Sequence, residues 1–353
     1  MSTFTWPEAI VPSAFSFALE PNVREFESPF TRSYQSVDLL GERWRATLVI
    51  PPRYRRDSGA VEALFNKLRG IHKLSLWHFG RPEPVGSLRG SPVTAGIVAQ
   101  GASSLSLSGC TNGNLVSNAQ SFDSAMWVKT SAGSGIVPVV TPNVFAAPDG
   151  TFTADQVVFD KGTLAGNSTL LGPNVVMAPG LPYSFSVWVY GNVGGQTLQV
   201  SIAGASAATF AIVAGVWQSC AVTYTDATGG TYNARIGTTS TSPATTRNAD
   251  VLLWGARFEQ AATPTPYVTP SLRAGDLVGA GGMLFQASDD CAANDAGALT
   301  VPLVNRPRSA IASGSAVTWF RPTSAFRLAD PRVPVLHSPV IAESVQLDLI
   351  ESW

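Results

Sequence analysis

The sequence contains little charge for its length. Charged side chains make up 13% of the 353 residues, and the formal net charge is -1. With 45% hydrophobic residues, this composition is typical of a globular protein, because disordered and nucleic-acid-coating proteins carry far more charge. A chain that is close to neutral has no net electrostatic attraction to nucleic acid or to an acidic membrane. We therefore expect no nucleic-acid specificity.

Cysteines and long apolar runs are also scarce. The three cysteines, Cys110, Cys220 and Cys291, are odd in number and far apart, so at least one thiol is free and a dense disulfide framework is excluded. The first residues lack a basic segment followed by an apolar one, and no run of about 18 apolar residues occurs. The sequence therefore predicts a protein made in a reducing cytoplasm, without a signal peptide or a membrane span.

Sequence motifs typical of catalysis or of cofactor binding are also absent. The three histidines have no Cys, His or Asp companions at metal-ligand spacing. Neither a G-x-S-x-G nor a G-x-G-x-x-G pattern is present. The acidic segment of Asp289, Asp290 and Asp295 favours a solvated turn over a calcium site or a glycosidase pair. We therefore expect a protein that is not an enzyme and that has no cofactor.

The charge that is present is unevenly distributed. Residues 109–270 contain only 12 charged residues among 162, whereas the other 191 residues contain 35. Such a shift in composition marks a domain boundary. The sequence therefore predicts a domain over 109–270 inserted into a discontinuous domain formed by 1–108 and 271–353.

The sequence pattern of the inserted segment predicts an all-β domain. Stretches with period-2 alternation are separated by glycine pairs and other turn residues at the spacing of an antiparallel sandwich. The predicted strands cover 183–191, 197–204, 217–225, 232–239 and 250–258. We therefore predict an antiparallel β-sandwich of jelly-roll type.

The flanks predict a mainly β domain with one helix. Apolar residues at helical spacing place the helix over 57–70, with Asp57 or Ser58 as its N-cap. Predicted strands cover 44–52, 72–79, 100–109, 275–290, 298–304 and 316–322. Neither flank alone supplies enough apolar strands, so together they are expected to form one β-barrel, with Gly109 and Ser271 close in space.

Aromatic residues provide the candidate site. Trp188 and Tyr190 alternate with the predicted core residues of their strand, beside Ser186, so two rings share a polar face. Sugars stack on such rings while nearby polar groups bind their hydroxyls. Arg235 completes the candidate carbohydrate-binding set. Two alternatives stay open: Trp188 packs beneath a loop, and other tryptophans such as Trp217 serve core or rim packing.

The inserted segment resembles the carbohydrate-binding-module-like sandwiches found in phage tail proteins. The matching residues are Asn114–Asn118, Phe122, Trp127, Pro148–Thr151, Thr153, Ala154, Tyr183–Val189, Trp217, Leu253–Ala256, Phe258, Glu259 and Pro264–Thr269. The resemblance implies a glycan-binding role. It also allows a structural calcium near the chain ends of the sandwich, although no acidic cluster identifies the ligands.

The flanks resemble phage distal tail proteins. The matching residues include Trp6, Pro7, Phe26, Ser28–Thr31, Gly41–Trp44, Leu48, Ile50–Pro52, Ala274–Leu277 and Pro302–Pro307. The resemblance implies a homo-oligomeric ring, usually a hexamer, that contacts the tail tube protein and the tail-tip hub proteins. It places the protein at the tip of the virion tail, with the sandwich contacting host-surface polysaccharide.

Two other classes stay open at this point. A trimeric receptor-binding or tail-fibre subunit would use the flanks for docking and the sandwich for sugar binding. A glycan hydrolase would require a pair of catalytic carboxylates, which the sequence does not reveal.

Overall fold

The computed structural model describes residues 2–68, 71–164, 166–239, 248–330 and 332–352. The chain divides into two compact units. Unit 1 comprises Met1–Cys110, Pro270–Ala293 and Ala298–Trp353, and unit 2 comprises Thr111–Thr269 and Asn294–Gly297. Residues 294–297 therefore lie in unit 2, where the Asp295 carboxylate accepts hydrogen bonds from the amides of Gln120 and Ser121. The sequence had assigned them to the returning flank.

Unit 1 is built from β-strands and the one α-helix found among the described residues. Its first piece contains β1 (Thr3–Thr5), β2 (Ala14–Glu20), β3 (Val23–Glu27), β4 (Tyr34–Asp38), β5 (Arg43–Ile50), β6 (Arg53–Tyr54), α1 (Arg55–Leu68), β7 (Lys73–Trp77), β8 (Arg89–Thr94) and β9 (Ser104–Thr111). The eleven strands of unit 2 are β10 (Val128–Ala132), β11 (Ile136–Phe145), β12 (Ala154–Asp160), β13 (Ser168–Gly172), β14 (Asn174–Met177), β15 (Pro182–Gly191), β16 (Gln196–Ile202), β17 (Ser206–Ile212), β18 (Trp217–Thr225), β19 (Gly230–Thr238) and β20 (Asn248–Glu259). The returning piece contains β21 (Ser271–Leu272), β22 (Leu277–Ala280), β23 (Met283–Gln286), β24 (Cys291–Ala292), β25 (Leu299–Pro302), β26 (Val317–Thr318), β27 (Thr323–Leu328), β28 (Ile341–Ala342) and β29 (Val345–Glu351).

The main sheet of unit 1 combines strands from both pieces of the chain. Its order is β1-β7-β27-β29-β5-β2, with β1 parallel to β7 and the other neighbours antiparallel. Leu48 of β5, Leu347 of β29 and Leu64 of α1 belong to one buried cluster, so the helix covers one face of the sheet. The two flanks therefore share one hydrophobic core.

The structure corrects the expected barrel. The mainly β fold with antiparallel sheets and one helix is confirmed, but the described strands form no closed barrel. The main sheet is open, and it ends at β1 and β2. Two three-stranded sheets, β23-β22-β26 and β25-β9-β8, contribute to a second buried cluster in the same unit. Several short strands of this unit pair with one another in small sheets. None of the described strands therefore joins the two edges of the main sheet.

The helix begins two residues earlier than expected. It spans Arg55–Leu68 and follows directly after β6, so Asp57 and Ser58 lie inside its first turn and neither is the N-cap. Gly70, which the sequence predicted just beyond the end of the helix, lies outside the described residues. No helix in the described ranges is both long and apolar enough to cross a membrane.

Unit 2 is a sandwich of two antiparallel sheets. A five-stranded sheet has the order β11-β12-β20-β15-β18, and a six-stranded sheet has the order β10-β13-β19-β16-β17, with β14 also pairing with β19. One buried cluster joins the two sheets through residues such as Val187, Leu198, Ile236 and Val251. The strong alternation of these strands follows because one face of each sheet turns inward.

The points where the chain changes unit lie close together within each unit. In unit 1, the thiol of Cys110 is near enough to that of Cys291 to interact with it electrostatically, and Cys291 pairs with Leu272. In unit 2, the Asn112 side-chain amide donates a hydrogen bond to the Val268 carbonyl. Each unit thus brings together the two residues that flank its own junction.

Candidate functional site

The central strand β15 positions the candidate aromatic residues. Phe185 and Val187 are fully buried in the sandwich core, as the alternation predicts. Ser186, Trp188 and Tyr190 therefore point to the outer face of the five-stranded sheet. This face carries a second, smaller hydrophobic cluster that is separate from the core.

Four rings form what we call the aromatic surface: Phe145, Trp188, Tyr190 and Trp217. The ring centroids of Phe145 and Tyr190 are 5.0 Å apart, and those of Tyr190 and Trp217 are 5.5 Å apart. Tyr190 lies directly opposite Trp217 in the strand register, and Trp188 lies opposite the buried Trp254. Three of the four rings are half-buried and Phe145 is 37% exposed. The rings are therefore held from below and open on one side.

The polar atoms of this surface have no hydrogen-bond partner in the part of the chain that the structure describes. Within the described ranges, no hydrogen bond is formed by the indole N–H of Trp188, the indole N–H of Trp217 or the hydroxyl of Tyr190, and none of these atoms is sealed from solvent. By contrast, the indole N–H of Trp254 donates to the Thr153 hydroxyl at 3.1 Å. A buried tyrosine or tryptophan normally satisfies its polar tip, so these three tips are available to a ligand.

Part of the same outer face is covered. Ala147 and Ala154 belong to the small cluster, and the ring of Tyr267 packs edge-on against Trp254 with centroids 5.2 Å apart. Trp254 is therefore closed off, as packing predicts, whereas Trp188 beside it remains half-buried. The alternative of a tryptophan beneath a loop applies to Trp254 and only partly to Trp188.

A bulge sets the boundary between the aromatic and polar parts of this face. Trp254 lies opposite Trp188 and Arg257 lies opposite Ser186, so β20 has one extra residue at this point. Gly255 takes a φ of +59°, which suits a glycine, and a side chain there would meet the ring of Tyr267. Trp254 and Arg257 consequently share one face although they are three residues apart.

Ser186 lies at the closed, polar end of the face. It is 7% exposed, and Arg257 opposite it forms an ion pair with Glu259 at 2.8 Å. The Glu259 carboxylate also accepts hydrogen bonds from the amide and hydroxyl of Thr265. Ser186 therefore shares the face with Trp188, but little of it can reach a ligand.

Arg235 does not belong to this surface. It lies on β19 in the other sheet of the sandwich, opposite Ser201. Its guanidinium donates to the carbonyls of Gly172 and Pro173 at 2.6 and 2.7 Å, and to the side-chain oxygen of Asn174 at 3.0 Å. Burial lowers the pKa of the guanidinium. The sequence grouped Arg235 with Trp188 because it could not show which sheet each strand joins.

Buried carboxylates elsewhere in unit 2 serve the backbone. Asp155 is fully buried and accepts hydrogen bonds from the amides of Phe122 and Asn143 at 2.8 and 2.9 Å. Burial raises the pKa of this carboxyl to about 6. No group of three His, Cys, Asp or Glu side chains in the described part of the chain could hold a metal ion. The structural calcium implied by the resemblance stays an expectation.

The acidic segment noted in the sequence is divided by the structure. Asp290 pairs with Arg273 in unit 1, where the Nη1–Oδ2 distance is 2.5 Å. Asp295 holds backbone amides in unit 2. The structure therefore gives these residues separate structural roles, and Asp295 is partly buried where the sequence predicted a solvated turn.

Comparisons with known proteins give only remote similarities. No family model matches the chain, and no curated protein matches it. Solved structures similar to it include the enzymatically active domain of tailspike protein 4 of bacteriophage CBA120, at 14% identity over 42% of this chain and 22% of that chain, with a TM-score of 0.31. They also include the CBM22-1 and GH10 modules of Clostridium thermocellum xylanase 10B complexed with xylohexaose, at 18% identity over 43% and 29% of the two chains, with a TM-score of 0.30. A third is TmCBM61 in complex with β-1,4-galactotriose, at 14% identity over 42% and 99%, with a TM-score of 0.29. The chain thus matches less than a third of the length of the first two.

These similarities correct one expectation. The sequence predicted a protein that is not an enzyme, and two of the three structures contain enzymatic domains. The expectation is therefore wrong, because missing catalytic motifs do not exclude an enzymatic activity. The similarities assign no activity to this chain.

Proposed function

We propose that the chain is a structural protein of a phage tail whose unit 2 contacts host-surface glycans through the aromatic surface. The observation that carries this proposal is a group of rings in which the polar tips of Trp188, Tyr190 and Trp217 form no hydrogen bond to any described residue. Flat rings stack on the apolar faces of sugars, and an indole N–H or a phenol hydroxyl can then bind a sugar hydroxyl. The residues assigned to this role are Trp188, Tyr190, Trp217 and Phe145.

The finer assignment is a distal tail protein at the tip of the virion tail. In this proposal six copies form a ring that contacts the tail tube protein and the tail-tip hub proteins. Each copy supplies one shallow sugar contact, and repetition around a ring raises the overall affinity through effective concentration. Counting copies in intact particles separates this role from the alternative, because six copies fit the ring and three fit a trimeric receptor-binding or tail-fibre subunit.

The double variant Trp188→Ala/Tyr190→Ala tests the glycan contact. We expect its affinity for purified host-surface polysaccharide, measured by isothermal titration calorimetry, to fall at least about tenfold, since two stacking rings are lost. Phe152→Ala is the matched control, because Phe152 is 64% exposed in unit 2 but lies outside the aromatic surface. A double variant that unfolds at the wild-type temperature and keeps the wild-type affinity would remove the assignment.

A further inference from the structure

A row of polar side chains borders the aromatic surface of unit 2. Tyr190 lies opposite Leu252 in the strand register, and the next residues on the same face are Asn192 and Asp250. The Asn192 amide donates to the Asp250 carbonyl at 3.4 Å, so the pairing continues past the end of β15. Asp250 is thus a diagonal neighbour of Tyr190, and such neighbours lie about 7–8 Å apart. A ligand stacked on the Tyr190 ring can therefore reach the Asp250 carboxylate.

The carboxylate of Asp250 is fixed through one oxygen and open at the other. Ala249 and Val251, its neighbours in β20, are fully buried in the sandwich core, so Asp250 points to the outer face. Its Oδ1 accepts hydrogen bonds from the side-chain amides of Asn192 at 2.7 Å and Gln156 at 2.8 Å. Its Oδ2 forms no hydrogen bond to any residue in the described ranges and is not sealed from solvent. This oxygen is available to a hydroxyl donor.

The polar groups around the rings complement a hydroxyl-rich ligand. The indole N–H groups of Trp188 and Trp217 can only donate a hydrogen bond, whereas the Asp250 carboxylate can only accept one. A sugar hydroxyl donates and accepts, so neighbouring hydroxyls of one sugar can use both kinds of group. A hydrogen bond to a carboxylate is also stronger than one between two neutral groups. An uncharged sugar therefore satisfies this surface.

The charges of the same face disfavour an acidic sugar. Among the described residues of the five strands in this sheet, Arg257 is the only cation. It is 8% exposed and forms an ion pair with Glu259 at 2.8 Å, so it offers no free charge to a ligand. A carboxylate or sulfate group on a sugar near Tyr190 would instead face the carboxylate of Asp250. Like charges placed together at a binding surface suppress the wrong partner.

We propose that the aromatic surface binds an uncharged polysaccharide and that Asp250 selects it, by accepting hydroxyl hydrogen bonds and by repelling acidic sugars. The inference rests on the glycan contact proposed above for unit 2. It adds the chemical class of the glycan and the residue that discriminates. Specific recognition commonly combines an attractive element with a repulsive one, and Asp250 supplies both.

Three chemical forms of one polymer test the selection. Purified host-surface polysaccharide is freed of carboxylates by carboxyl reduction, part of its primary hydroxyls is then oxidised to carboxylates, and a share of that product is converted to methyl esters. The oxidised form and the ester carry their substituents at the same positions, but only the oxidised form is charged. We expect the wild-type chain, measured by isothermal titration calorimetry, to bind the oxidised form at least about tenfold more weakly than the other two.

The variant Asp250→Asn separates charge from shape. It keeps an acceptor oxygen and removes the negative charge, so we expect its affinities for the oxidised form and for the ester to lie within about threefold of each other. Asp123→Asn is the matched control, because Asp123 is an exposed aspartate of unit 2 that lies outside its strands. This control should discriminate as strongly as the wild type.

Salt provides a readout that a purely structural role of Asp250 would not affect. Raising the ionic strength from about 0.01 M to about 1 M shortens the Debye length from about 30 Å to about 3 Å, so the repulsion is screened. We expect the discrimination of the wild type against the oxidised form to shrink as salt rises. The discrimination of Asp250→Asn should change little.

The selection and the glycan contact fail in different ways. A wild-type chain that binds the oxidised form as tightly as the ester would overturn the selection. So would an Asp250→Asn variant that unfolds at the wild-type temperature and keeps the full discrimination. Binding that is lost in Trp188→Ala/Tyr190→Ala but is indifferent to charge would leave the glycan contact standing and remove the role of Asp250. Absence of binding to all three forms, or binding that survives in that double variant, would overturn both proposals.

Discussion

The two units expose apolar side chains in different ways. In unit 2 the rings of the aromatic surface rest on a buried layer that includes Leu252 and Trp254, so they are fixed although one side is open. In unit 1 the exposed Phe26 and Phe30, which lie in or beside the β3–β4 hairpin, belong to none of the hydrophobic clusters formed by the described residues. A supported, shallow surface suits a small ligand that stacks on it, whereas no buried layer orients the exposed rings of the hairpin for such a ligand.

The largest expected effect comes from emptying either core. Phe185 of unit 2 and Phe326 of unit 1 are both fully buried, in separate clusters. Replacing either by alanine is expected to lower the free energy of unfolding of its own unit by about 3–5 kcal/mol, because a large cavity forms. Scanning calorimetry of the pair should show each variant shifting a different transition. A single transition shifted equally by both variants would contradict the description of two units that unfold separately.

A smaller effect is expected at the aromatic surface itself. Trp217→Ala removes one ring that contacts Tyr190, and we expect polysaccharide binding to weaken about 3- to 10-fold, in line with one aromatic contact. Trp319→Ala is the matched control, because Trp319 is a half-buried tryptophan of unit 1. Equal loss of affinity in both variants would show that binding does not distinguish the two units.

The smallest effect concerns pH. The pKa of Asp155 is raised to about 6 by burial, so the folded unit binds this proton more tightly than the unfolded chain does. The contribution of Asp155 to the stability of unit 2 should therefore increase as the pH falls from above 6 toward 4. Denaturant unfolding across this range should show the free energy of unfolding of the wild type rising, relative to that of Asp155→Asn, as the pH falls. Identical slopes would contradict the role assigned to Asp155.

Sequence patterns predicted five of the eleven strands of unit 2, namely β15, β16, β18, β19 and β20, and the site only in part. Alternation along β15 placed Trp188 and Tyr190 on the outer face, because the period of a strand fixes its two faces. The period of a strand does not reveal which distant strands pair with it. The sequence therefore could not show that Phe145 and Trp217 flank Tyr190, or that Arg235 belongs to the other sheet. The bulge at Gly255, which brings Trp254 and Arg257 onto one face, has no signal beyond an isolated glycine in a strand.

The flanks show the same limit. Apolar periodicity located the helix within two residues of its observed bounds, and strand patterns located β5 and β7. The prediction of a barrel was wrong, because closure depends on whether the two edge strands of the sheet pair with each other. In unit 1, β1 and β2 remain the edges of the main sheet. Strands β3 and β4 were missed, since their exposed residues give no core-facing alternation to detect.

A structure of the chain with a bound oligosaccharide from the host-surface polysaccharide tests the central claim most directly. The account predicts a sugar ring stacked over Tyr190 or Trp217, with a hydroxyl within hydrogen-bond distance of the Tyr190 hydroxyl or of the indole N–H of Trp188 or Trp217. Sugar bound on the opposite sheet beside Arg235, with the aromatic surface empty, would contradict it.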